Sequence, residues 1–209
     1  LLTSIFLIAC SANQASNKIS NSELENLASK YGGVYVFNEK FEKEIEKREV
    51  ERKELSKTLG DRIRSNPRKI KQGDKFITIY DVDTTLINKQ LPQTLSNGKK
   101  YYTRWIDYEN QTGKKAEIPE IYINKIKEFM GDENYNKSPN LPILVMFYID
   151  NNDEIIPIKL SMSYTYYRTK YGLFGDEGHG VRFKDEEQIF IRGGNKFVLT
   201  NGKFVKAEK

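Results

Sequence analysis

The chain has one cysteine, one histidine and one tryptophan among its 209 residues. A lone cysteine excludes an intrachain disulfide framework and any cysteine-rich zinc site. A lone histidine excludes most histidine-based metal centres. No P-loop, G-x-G-x-x-G or H-E-x-x-H pattern is present, so neither a cofactor nor a metal is expected. No run of about 20 apolar residues occurs, which excludes a membrane-spanning helix within the chain. What it has in quantity is aromatic rings, 13 Tyr and 11 Phe, more than a disordered chain carries. The length suits one domain with a core that needs no covalent staples. The net charge of +5 suits anionic lipid headgroups, acidic glycans or an acidic protein, and does not choose among them.

The opening LLTSIFLIAC is uncharged and mostly apolar, like the h-region of a secretory signal without its basic start. Its last four residues, Leu7-Ile8-Ala9-Cys10, resemble the lipobox of bacterial lipoproteins, with the only cysteine where that motif needs it. The resemblance implies cleavage after Ala9 and lipidation of Cys10. It also implies a place in the bacterial cell envelope, anchored to the membrane by lipid. Ser11 rather than Asp follows, which by the enterobacterial sorting pattern favours the outer membrane, facing the periplasm. Residues 1–9 are then a signal peptide. Residues 10–21 are small and polar and read as a flexible tether, which reaches at most about 35–40 Å when extended.

Residues 22–209 read as a single α+β domain, with N-terminal helices (22–66) packed on a mostly antiparallel β-sheet. Ser22-Glu23-Leu24-Glu25 has the form of a capping box before a helix that Gly32-Gly33 ends. Residues 34–37 are a short strand. Residues 38–64 carry both signs of charge, with Glu44/Arg48 and Glu49/Lys53 at i, i+4 spacing and a narrow apolar stripe through Phe41, Ile45, Leu55, Leu59 and Ile63. This reads as a solvated helix rather than a nucleic-acid helix, and no nucleic-acid partner is expected. Asn66-Pro67 stops it. Strands are expected at 75–87, at 100–109 after an Asn97-Gly98 hairpin turn, and at 143–149. A helix opened by Pro119 and closed by Gly131 lies between the last two. Residues 132–142 read as a polar loop. Residues 154–168 alternate as one strand, in which Pro157 marks an edge or a bulge. Short pairings follow around Gly193-Gly194 and Asn201-Gly202. The hairpin turns argue for antiparallel pairing.

Asp81-Val82-Asp83-Thr84-Thr85-Leu86 resembles the first motif of haloacid-dehalogenase-type phosphatases. The resemblance implies Asp81 as nucleophile and Asp83 as acid/base, with Mg²⁺ to screen the charge. The next apolar strand ends in Asp150-Asn151-Asn152, where that family needs Ser or Thr. His179 in Gly178-His179-Gly180 has no cysteine to serve, because the lipobox reading spends the only one, Cys10, on lipid. Residues 169–180 (TKYGLFGDEGHG) form a long glycine-rich loop, a length that is often functional. Phe174, Asp176, Glu177 and His179 within it suit insertion into a partner's basic cleft. Tyr167 and Arg168, at the end of the alternating strand, suit an interface. A protein partner is therefore expected. A glycan or peptidoglycan ligand held by exposed Tyr and Trp105 is the alternative. Arg104-Trp105-Ile106-Asp107-Tyr108, residues 115–119 and the helix after them are similar to the lipoproteins that protect against type VI secretion lipase effectors. That similarity implies an immunity protein that neutralises a toxin.

Overall fold

The computed structural model describes residues 19–138, 140–175 and 182–208. Cys10, the signal-like segment and nearly all of the tether lie outside these residues, as do Asp176, Glu177 and His179. The fold is α+β, with a mostly antiparallel six-stranded sheet and two separate two-stranded ribbons. Helix α1 (Asn21–Tyr31) leads into β1 (Gly33–Val36), and α2 (Glu39–Leu59) follows. Ribbon strands β2 (Arg64–Gln72) and β3 (Lys75–Val82) precede α3 (Thr85–Gln90), β4 (Tyr101–Tyr102), α4 (Trp105–Thr112), α5 (Glu120–Met130) and α6 (Asp132–Asn136). Strands β5 (Ile143–Ile149) and β6 (Ile155–Met162) return to the main sheet, β7 (Tyr164–Phe174) and β8 (Arg182–Ile191) form the second ribbon, and β9 (Asn195–Thr200) and β10 (Lys203–Lys206) close the chain.

The main sheet runs β10-β9-β1-β6-β5-β4. Its only parallel pair among the described residues is β1–β9. One face packs against α1, α4 and α5 through Leu24, Leu27, Tyr108, Ile126 and Met130, which meet Tyr35, Phe147, Leu160 and Phe197. The other face meets α2, where Ile45 packs with Ile158, Tyr101 and Leu95. Alternating side chains thus supply two cores, as a sheet covered on both sides requires.

Several expected elements shift. The cap of α1 is Ser20, whose hydroxyl accepts from the Glu23 N–H, rather than Ser22. Glu44 does not pair with Arg48; it accepts from the backbone N–H and the hydroxyl of Ser96. Glu49 turns to Arg52 and Tyr101. Residues 100–109 are not one strand: two residues pair with β5, and α4 begins at Trp105. The strand expected to run to residue 87 ends at Val82, because α3 starts at Thr85. The polar stretch after Gly131 opens with α6 rather than running as loop throughout. Residues 154–168 divide between β6 in the sheet and β7 in a ribbon.

Pro157 lies in a central strand, beside a bulge. Phe147 pairs with Pro157 and Met146 with Lys159, which leaves Ile158 as the extra residue. The bulge turns Ile158 and Lys159 to the same side, toward α2. The β2–β3 ribbon, by contrast, is exposed over almost its whole length. Its amides are expected to exchange with solvent at least about 100-fold faster than those of β1 and β6, in a native-state hydrogen-exchange experiment.

Candidate functional site

Three regions merit weighing as functional: the Asp81/Asp83 pair, the grooves around α1, α5 and α6, and the β7–β8 ribbon. Asp81 sits on β3, where its carboxylate pairs with the Arg68 guanidinium and accepts from the Asn66 amide. Asp83 lies beyond the strand, two residues before the start of α3. Its Oδ1 accepts from the Thr85 N–H at 2.9 Å, and the Thr85 hydroxyl and backbone bonds hold its carboxyl below the ordinary 3.8. Both carboxylates are therefore engaged locally on a solvent-facing hairpin. No cluster of three His, Cys, Asp or Glu side chains able to hold a metal forms among the described residues.

An open groove of about 490 Å³ is lined by Asn124, Lys127, Glu128, Gly131 and Asp132. A smaller one of about 170 Å³ lies between α1 and α6, beside Glu23, Lys30, Tyr31 and Asn134. Neither lining contains a Ser, Cys or His, so neither holds a Ser–His or Cys–His pair.

The β7–β8 ribbon is built differently at its two ends. At its base Tyr164 is buried and Tyr166 and Ile191 pack against the α1-side core. The Tyr166 hydroxyl donates to Glu25 at 3.3 Å. Away from the base, the pairing of Tyr167 with Gln188 and of Tyr171 with Lys184 puts both tyrosines on the outer face with Phe190. All three are exposed, Tyr171 at 83%. Arg168 lies on the opposite face, opposite Glu187. It donates to that carboxylate at 2.6 Å, and Lys170 pairs with the same group at 3.0 Å. These two bonds hold the Glu187 carboxyl below its ordinary 4.5. Tyr167 and Arg168 are thus both at the surface but point to opposite sides.

Residues 169–174 are strand rather than loop, and Phe174 ends β7, opposite Arg182. The ribbon therefore extends well past the end expected from alternation. Sequence reading missed Tyr171, Leu173, Phe183 and Phe190, all exposed. Residues 182–191 (RFKDEEQIFI) carry no period-2 alternation that would have signalled Phe183 and Phe190, and Gly172 masks the continuation of β7 through Tyr171 and Leu173. Trp105, singled out for glycan binding, begins α4 and is partly exposed, apart from this ribbon. No protein-family model matches the chain, and neither the curated proteins nor the solved structures contain a significant match.

Proposed function

We propose that this chain is a lipid-tethered bacterial envelope protein that binds a protein partner through the outer face of the β7–β8 ribbon. An immunity protein that neutralises a toxin in the periplasm is its specific form. The observation that carries the reading is the row formed by Tyr167, Tyr171 and Phe190, exposed on a ribbon whose base is fixed in the core. Tyrosine supplies large contact area with few rotatable bonds and a polar tip, which suits an interface anchor. The mixed charges of the opposite face keep that side solvated. The tether and Cys10 would hold the domain near the bilayer.

A photo-crosslinking amino acid at Tyr171, in the full-length gene product within the producing bacterium, tests the surface. One discrete adduct with an extracytoplasmic protein is expected, and none from the same probe at exposed Val50 on α2. Tyr167→Ser with Tyr171→Ser should abolish an adduct formed from Phe190. It should change unfolding free energy by less than about 0.5 kcal/mol, since both rings are solvated. Adducts equal to those from Val50 would overturn the binding surface. Cys10→Ser should turn membrane anchoring that resists a high-salt wash into association that high salt removes. Mg²⁺-dependent phosphomonoester hydrolysis lost in Asp81→Asn would favour the phosphatase alternative, and binding to purified sacculi the glycan alternative.

A further inference from the structure

The β2–β3 ribbon is the other part of the molecule that the main sheet does not explain. Among the described residues its two strands make no substantial contact with any other element. The cluster of Leu59, Ile63 and Ile87 lies at its foot. A two-stranded hairpin alone in water is marginally stable, yet this one presents apolar side chains on both faces. Ile70 pairs with Ile77 on one face. On the other face Phe76 and Tyr80 stand with Lys69 and Lys71. Phe76, beside the Gly73-Asp74 turn, is 72% exposed. The Arg64 guanidinium lies over the Tyr80 ring at 5.3 Å. Residues 64–82 hold five basic side chains against two acidic ones, Asp74 and Asp81, for a net charge of +3.

From this arrangement we infer that the β2–β3 ribbon is a membrane-docking arm, which inserts its tip among the headgroups of an anionic lipid bilayer. Charge complementarity and the geometry of exposure point to the same occupant. A protein surface covers one face of a ribbon, whereas a bilayer interface surrounds the tip on both. Lysines on long apolar stems keep their ammonium groups at the phosphates while their carbon chains and the neighbouring rings enter the interface. Each such cation contributes to attraction by an anionic leaflet. The inference rests on the envelope placement proposed above. The lipid at Cys10 would hold the arm at high effective concentration near the surface, so that even a weak arm acts.

The test uses the Cys10→Ser chain, which has no lipid and no remaining thiol, so that binding by the arm is read apart from the anchor and apart from any protein partner. Co-sedimentation with vesicles of 3:1 phosphatidylcholine to phosphatidylglycerol is expected, and none with phosphatidylcholine alone. Lys69→Glu with Lys71→Glu should lower partitioning by about tenfold or more. Phe76→Ser should lower it at unchanged charge. With Phe76→Cys as the only thiol, an attached environment-sensitive dye should brighten and shift to the blue on anionic vesicles, and the same dye at Lys53→Cys on α2 should not respond. Unchanged circular dichroism keeps these variants interpretable. Absence of vesicle binding at low salt, binding unaffected by the ribbon variants, or a ribbon that captures an acidic protein without binding vesicles would overturn the inference. Loss of the Tyr171 adduct with vesicle binding intact would instead sink the partner-binding proposal.

Discussion

Glu42→Ala is expected to destabilise the fold by about 3 kcal/mol, at the lower end of the cost of stripping one partner from a buried ion pair. For a chain of this length that corresponds to a fall in Tm of about 10 °C. Glu42 lies on α2 with only 1% of its surface exposed. It bridges two strands of the main sheet, reaching Lys159 on β6 and Lys196 on β9, each at 2.7 Å. Lys159 also reaches Glu46 at 2.9 Å. Removal of the carboxylate leaves the nearly buried Lys159 with that second partner alone. Lys196, at 38% exposure, can rehydrate, which places the cost at the lower end. A double change, Glu42→Leu with Lys159→Met, removes both buried charges and should recover most of the loss. Chemical denaturation of the two variants beside the parent checks this.

The same triad sets a pH dependence. Burial alone would raise the Glu42 pKa, but hydrogen bonds from Lys159 and Lys196, with their charges, hold it below the ordinary 4.5. A carboxyl lowered on folding contributes stability that is complete above its unfolded pKa and is lost as pH falls through the folded one. Lys159 shifts the other way: burial lowers its pKa, and the bonds to Glu42 and Glu46 more than offset this, leaving it above 10.5. Its contribution is full below 10.5 and is lost only as pH rises through the higher folded value. The parent should therefore lose stability more steeply than Glu42→Leu/Lys159→Met as pH falls below about 4.5. Parallel acid-titration curves would contradict the triad.

Glu42 also shows how the sequence conceals such a feature. Along residues 38–64 it is one acid among many, and nothing local separates it from Glu44 or Glu46, which sit at the surface. Its burial follows from the bulge at Ile158, which turns Lys159 toward α2. Elements whose limits are written in local chemistry were legible. Asn38 caps α2, Gly131 closes α5, and the apolar run of β5 is bounded by polar turns. Elements decided by tertiary packing were not. KYYTRWIDYE has strand-like composition, but Tyr102 and Tyr108 are needed together against Phe147, with centroids 5.3 and 5.6 Å from it. A two-residue strand followed by a helix achieves this, and a single extended strand would not. Asn66-Pro67 was read as a helix stop. It instead forms the irregular step in β2, where Asn66 has φ 48° and the register shifts between Ser65 and Arg68. Proline fits there because the other edge of a two-stranded ribbon needs no donor. For function, the aromatic content of residues 164–191 was visible, but which rings face water required the pairing register.

Gly193→Ala is expected to cost about 2–5 kcal/mol, combining the left-handed backbone with overpacking. Gly193 has φ 68°, and a Cβ there would overlap the carbonyl oxygens of Ala28 and Gly32. The close approach has a purpose. The last carbonyls of α1 lack intrahelical donors; the Tyr35 hydroxyl donates to that of Tyr31 at 2.7 Å, and the first residue of β9 serves two others at this end. The Asn195 amide donates to Ser29 O and Gly32 O, both at 2.8 Å, and the Asn195 N–H donates to Gly32 O at 3.2 Å. Gly33, paired with Asn195 in the parallel β1–β9 step, is equally crowded. This clasp joins the first helix to the last hairpin across most of the chain, so its loss weakens the only parallel pairing among the described strands. Gly194 has nearly the same φ, 70°, but open space around it. Gly194→Ala should therefore cost only the backbone term, about 1–2 kcal/mol. Asn195→Ala should fall between, because it removes the side-chain donor from the Ser29 and Gly32 carbonyls, the second of which keeps the backbone N–H, and introduces no steric clash. The order Gly193→Ala, Asn195→Ala, Gly194→Ala in denaturation midpoints tests the clasp, and equal losses at the two glycines would show that crowding by α1 plays no part.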